Sequence, residues 1–221
     1  MILGSGVAVA TRPAVESPPE LAGWAGVATA VHACQLMAMP MTLRLDVAGH
    51  DVIAIDFAFN AFDWSESLDA FPEEPATVFV ETRLGLPDAP SFELPGRQLD
   101  PLLWSIGYHA FGDDPAPWLA PDYRYRLRRW PALSGIDVGL DQVRMIAMLG
   151  NAFATAPELS AAAHTQPGQA QRLINALSVA GLLRRSAAAP APEAVDQTDL
   201  ATASGHPTTG LFARLRERWG R

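Results

Sequence analysis

The sequence predicts an α+β protein, with a small antiparallel β-rich N-terminal unit followed by a helical unit. Three observations carry this. Segments 41–48, 52–59 and 77–84 alternate apolar and polar residues with the period of two that half-buried strands require. Residues 139–180 repeat apolar residues at helical spacing, punctuated by capping signals. Beyond residue 186 the composition shifts to Ala, Pro, Thr and Ser, which buries too little apolar surface to fold.

Taken in order, residues 1–38 show no clear period and hold Pro13, Pro18 and Pro19. They are expected to be an N-terminal extension, with the compact fold starting near Met39 or Met41. The apolar start lacks a basic flank, so no signal peptide is expected. In 41–48, Leu43, Leu45 and Val47 share one face and Thr42, Arg44 and Asp46 the other. Ala48 to Asp51 is a turn around Gly49, and 52–59 returns with Ile53, Ile55, Phe57 and Phe59 on one face, a β-hairpin. Residues 60–75 read as a loop, 77–84 as a third strand, and the prolines that follow as an extended connection.

Residues 98–111 (QLDPLLWSIGYHAF) read as a helix, with Asp100 as cap and Pro101 at the first helical position. Residues 123–130 (YRYRLRRW) alternate again, with Tyr123, Tyr125 and Leu127 on one face and Arg124, Arg126 and Arg128 on the other. This unit, 39–131, gives way to a second, 132–186. Its first helix, 139–151, has Leu140, Val143, Ile146, Ala147 and Leu149 or Met148 on its apolar side. Thr155 and Glu158 form a capping box opening a short helix. Pro167 opens a longer one to Ala180, buried through Ala170, Leu173, Ile174 and Leu177. Gly181 ends it, and Leu182 to Arg185 read as a strand. An Ala/Pro-rich linker, 187–209, leads to 210–221 (GLFARLRERWGR), an amphipathic tail helix with Leu211, Phe212, Leu215 and Trp219 on one face.

The run TAPELSAAAHTQPGQAQRLINALSVAGLLRR, with its short turn between two helices and its Gly-Leu-Leu ending before a basic pair, resembles a winged-helix (helix-turn-helix) module over residues 139–186. That resemblance implies a recognition helix at 167–180 whose exposed Gln169, Gln171, Arg172 and Asn175 would read DNA. The segments LPGRQLDPLLWSIGYHAF and RYRLRRWPAL are similar to uncharacterised proteobacterial regulatory proteins associated with small GTPases or surface motility. This similarity transfers no functional residue. It implies a signalling protein with a protein partner.

Composition narrows the function. All sixteen basic residues are arginine, which closes the enzyme classes that need a lysine Schiff base or a phosphate-loop lysine. The formal net charge is −8, and residues 51–100 hold eleven acids against two arginines. A negative field of that kind repels nucleic acid. The arginines gather instead at 124–129 and in the last eight residues. The strand arginines Arg124, Arg126 and Arg128 form either a surface for an acidic partner or a solvated face paired with nearby acids such as Asp113, Asp114 and Asp122. The tail docks on a partner, lies on a membrane surface, or packs on its own domain.

No enzyme is expected. The five histidines lack metal-ligand spacing, and no nucleophile motif or glycine-rich phosphate loop is present. Ser105, His109 and Asp113 share a helical spacing, but their helix is packed and such triads gather from separate loops. Neither cofactor nor metal is expected. The single Cys34 suits a reducing cytoplasm, and no apolar run spans a membrane. The expected function is a non-enzymatic bacterial adaptor working through protein contacts. The alternative is a DNA-binding regulator whose β-rich unit senses a ligand.

Overall fold

The computed structural model describes residues 20–187 except 38, 87 and 122, leaving aside the side chains at 20–22 and 187. The linker 187–209, beyond its first residue, and the tail 210–221, with Leu211, Phe212, Leu215 and Trp219, lie outside the described residues. The fold is α+β. Eight strands and five α-helices run in the order β1 (Glu20–Ala22), α1 (Gly23–Leu36), β2 (Met41–Val47), β3 (Ile53–Asp56), β4 (Ala61–Asp63), β5 (Thr77–Leu84), β6 (Arg97–Gln98), α2 (Leu99–Ala110), β7 (Tyr123–Leu127), α3 (Leu140–Asn151), α4 (Ala156–Ala163), α5 (Pro167–Val179) and β8 (Leu183–Ala187) among the described residues.

The first six strands form one antiparallel sheet in the order β1-β5-β2-β3-β4-β6. The expected hairpin is present, with Leu43 opposite Ile55 and Leu45 opposite Ile53. Its second strand is shorter than the alternation suggests. Asp56, fully buried, turns its carboxylate onto the amides of Ala58, Phe59 and Ser91 and bends the chain after Asp56. Asn60 then takes a left-handed conformation, and β4 follows inside the segment expected to be loop.

The largest departure lies at the N-terminus. Residues 20–36 are not an extension outside the fold. α1 buries Trp24, Val27, Ala28, Val31 and Cys34 in the core, and the Trp24 indole N–H donates to the carbonyl of Pro72 at 2.6 Å. The reason is spacing: those five residues recur at helical intervals, but four of the six positions between them are Ala or Gly, so the pattern has little contrast.

α2 is the centre of the molecule, buried from Leu99 to Gly107 and packed between α1 and α5. At Gly107 a Cβ would lie 2.8 Å from the Ala176 Cα and 2.9 Å from the Val179 Cβ, so glycine is what lets α2 and α5 approach. Asp100 does not cap this helix. It sits inside the first turn, and its carboxylate takes both terminal nitrogens of Arg129 at 2.5 and 2.7 Å and the amide of Ala132 at 3.0 Å.

The capping box of α4 is present, with Glu158 bonded back to the Thr155 amide at 2.8 Å. α5 buries the expected Ala170, Leu173, Ile174 and Leu177. α3 buries Ile146 and Leu149 of its expected face and Met145 beside them, while Leu140 and Val143 are 65% and 46% exposed. The strand after α5 pairs antiparallel with β7, which precedes the three helices, closing them into one circuit. One continuous core runs from Trp24 to Leu182, so 39–131 and 132–186 are not separate compact units.

Candidate functional site

Tyr123 to Leu127 alternate so that Tyr125 and Leu127 face the core while the arginines between them do not. Pairing with β8 places Tyr125 opposite Arg185, Leu127 opposite Leu183, Arg124 opposite Ser186 and Arg126 opposite Arg184. The two-stranded sheet therefore carries two guanidinium groups at directly facing positions. Like charges opposed in this way repel, by about 0.7 kcal/mol for two charges roughly 6 Å apart in water-like surroundings.

The arginines divide into committed and uncommitted groups. Arg124 is bonded by one nitrogen to both oxygens of Glu158 at 2.8 and 2.9 Å. Arg129 is held by Asp100, and Arg172 by Asp113 at 2.8 Å. Of the three expected surface arginines, Arg124 is thus tied to α4, and its partner is Glu158 rather than Asp113 or Asp114; Asp122 lies outside the described residues. The side chains of Arg126, Arg128 and Arg184 have no ion pair or hydrogen bond among the described residues. Arg185 lies over the Tyr123 ring, 5.2 Å from its centroid. It too has no acidic partner among the described residues.

Beside this sheet is an open cleft of about 1090 Å³. α1 supplies one wall with His32, Gln35 and Leu36. Trp118 and Leu119 supply the floor with Ser178 and Gly181. Tyr125, Arg128, Leu183, Arg184 and Arg185 supply the other wall. No acidic side chain lines it among the described residues.

The floor is locked in place. His32 stacks on Trp118 with centroids 4.1 Å apart and planes 9° from parallel. The Trp118 indole N–H donates to the Ser178 hydroxyl at 2.6 Å, Gln35 donates to the Val179 carbonyl at 2.8 Å, and the Tyr125 hydroxyl donates to the Ala120 carbonyl at 3.0 Å. Burial pushes the His32 imidazole below its usual range, so at neutral pH it is uncharged and the positive charge of the cleft belongs to the arginines.

The expected DNA-reading side chains do not form a reading face. Asn175 is 0% exposed. It accepts from the Ala116 amide at 3.0 Å and from Gln171 at 3.0 Å, and donates to the Asp114 carbonyl at 2.8 Å. Arg172 is paired with Asp113. Only Gln169 is exposed, and it accepts from the hydroxyl of Thr165. The side of α5 that was expected to meet DNA instead anchors the 113–116 loop.

Ser105, His109 and Asp113 are likewise not assembled. The Ser105 hydroxyl donates to the Pro101 carbonyl, His109 lies against the Phe71 and Tyr108 rings, and Asp113 holds Arg172. Among the described residues no group of three or more His, Cys, Asp and Glu is placed to hold a metal, and no helix is long and apolar enough to cross a membrane. Burial raises the Cys34 thiol above its usual range.

Sequence reasoning found Arg124, Arg126 and Arg128 but missed the cleft. His32, Gln35 and Leu36 fell in the segment read as an extension, and Trp118 in an unassigned connection. The basic pair Arg184 and Arg185 was the one local signal. No protein-family model, curated protein or solved structure matches the chain.

Proposed function

We propose that this chain is a non-enzymatic regulatory adaptor that works through protein contacts. The observation that carries the reading is the facing pair Arg126 and Arg184, without an acidic partner among the described residues. An acidic segment of a partner protein laid on this pair would turn a repulsive arrangement into an attractive one. The partner is a small GTPase or another signalling protein, on the strength of the sequence similarity over the middle of the chain. The three helices closed by β7 and β8 support a winged-helix-like unit used for protein contact, because α5 spends Arg172 and Asn175 inside the molecule. The amphipathic segment with Leu211, Phe212, Leu215 and Trp219 is the second docking element. A cytoplasmic setting is supported by one free, buried thiol, Cys34.

A photo-cross-linking residue in place of Arg126, in the native cell, tests the reading. The adaptor should give one dominant protein adduct that is lost on Arg184→Glu or on deleting 210–221. The same protein should not be retained on bulk DNA at moderate salt. Salt-dependent DNA retention that vanishes on Arg172→Ala would overturn it in favour of a DNA-binding regulator.

A further inference from the structure

We infer that the cleft between α1 and the β7–β8 sheet binds an organic oligophosphate of the nucleotide class, its phosphates on Arg128, Arg184 and Arg185 and its ring-bearing end against Trp118, Leu119 and Leu36. Arg184 is shared with the surface of the adaptor reading, while Arg128 and Arg185 belong to the cleft alone and separate the two in a test; a ligand there makes the protein responsive to a small molecule.

Charge is the first argument. Arg128, Arg184 and Arg185 all line one cleft that no acid lines among the described residues, and none of the three has an ion-pair partner among them. A ligand that satisfies them must carry several negative charges.

Charge density decides which kind. An extended peptide places one carboxylate per same-face position, so three of them span about 13 Å at roughly 3.3 Å per residue. An oligophosphate concentrates its charge within a shorter length, with about −1.5 to −2 on a terminal phosphate alone. Guanidinium forks match phosphate oxygens in pairs, which ammonium groups do not.

The rest of the lining accounts for the organic part. Leu36, Leu119 and Leu183 are apolar, and the Trp118 and Tyr125 rings are held by hydrogen bonds to Ser178 and Ala120. A fixed apolar floor with charged arms at the rim is the arrangement of a pre-formed ligand pocket. Little ordering remains to be done by the ligand on that side.

The test is calorimetric titration of the full chain, in the presence of a chelator, with ATP, GTP, ADP, adenosine, inorganic triphosphate and an octaglutamate peptide. The nucleoside polyphosphates should bind, and increasing salt should weaken them. Adenosine and inorganic triphosphate should each bind more weakly by about tenfold or more, since each lacks one half of the recognition. Arg128→Gln with Arg185→Gln should cost about tenfold or more, while Arg144→Gln, paired with Asp141 on α3, should change nothing. Leu36 is 74% exposed, so Leu36→Glu places a carboxylate at the rim without touching the core and should also abolish binding. The inference is overturned if no nucleotide binds, if binding is undiminished in the Arg128→Gln with Arg185→Gln variant or in Leu36→Glu, if inorganic triphosphate binds as well as ATP, or if octaglutamate displaces the nucleotide as effectively as nucleotide displaces itself.

Discussion

Asn175 shows how one side chain can look like a binding residue and be a structural one. Its spacing on α5 places it beside Gln171 and Arg172, and an amide side chain on a helix is a good adenine reader. Yet the 113–116 loop folds over it, and the Ala116 amide has no other hydrogen-bond partner among the described residues than the Asn175 oxygen. Asn175→Ala should therefore cost about 2–3 kcal/mol, because a buried N–H is left unpaired. A urea titration reads this as a lower midpoint with an unchanged slope. Asp100 is similar. It is 3% exposed, and burial alone would raise its carboxyl, but the hydrogen bonds from Arg129 and the Ala132 amide and the Arg129 charge outweigh this and hold it below its usual value. A carboxyl held low in the folded state contributes stability above the unfolded pKa and loses it as pH falls through the folded one. Arg129→Ala leaves the carboxylate buried with one amide donor, and should cost about 2 kcal/mol near neutrality, less than a fully buried pair would because Arg129 is half exposed. The gap between variant and parent should close as pH falls through the ordinary carboxylate range and on through the lower folded value of Asp100, as the group takes up its proton. A gap independent of pH would show that Asp100 is not the group responsible.

Elements with contrast in their sequence were legible, and those without it were not. The hairpin, β5, α2, the α4 capping box and α5 all alternate strongly between apolar and polar residues or carry a cap, and each lies within a few residues of its expected place. α1 has the correct spacing at Trp24, Val27, Ala28 and Val31, but the intervening Ala25, Gly26, Ala30 and Ala33 are small and the pattern is flat. α3 was legible as a helix, but its buried face only in part, for another reason. Its local stripe allows two faces, and the choice between Met145 and Val143 is made by what the rest of the molecule offers. Pairings distant in sequence are beyond local pattern altogether, as between β7 and β8 or between α2 and α5. At the latter, Gly107→Ala would bring a Cβ to 2.8 Å from the Ala176 Cα and 3.0 Å from the Asn175 carbonyl oxygen, and backbone cannot swing aside as a side chain can. Alanine gains about 1 kcal/mol of helix propensity over glycine, but forcing two helices apart costs up to about 3 kcal/mol. The net expectation is about 2 kcal/mol of destabilisation in a thermal or urea melt. A stabilised Gly107→Ala variant would mean the α2–α5 contact is looser than these distances imply.

At the scale of the whole molecule, the cleft exists because α1 and the β7–β8 sheet belong to the same core. An N-terminal helix supplies one wall and the strands around a C-terminal helical unit supply the other, so neither half of the chain holds the site alone. That is why the arginines were visible in the sequence and the cleft was not: the sequence shows which residues are charged, while the core decides what faces them. The same dependence makes a chain starting at Met37, near the expected boundary of the fold, a decisive test. It would remove Trp24, Val27 and Val31, which are 2%, 0% and 0% exposed. Burying each such side chain contributes about 1.5–3 kcal/mol, so the three together represent about 5–9 kcal/mol. Domains of this kind have only about 5–15 kcal/mol to lose. The truncated chain should show no cooperative urea transition and should lose the near-ultraviolet circular dichroism of its packed aromatic residues, whereas removal of 188–221 should leave both intact. A cooperative transition with an unreduced slope from the chain beginning at Met37 would mean that α1 is dispensable and that the cleft has only one permanent wall.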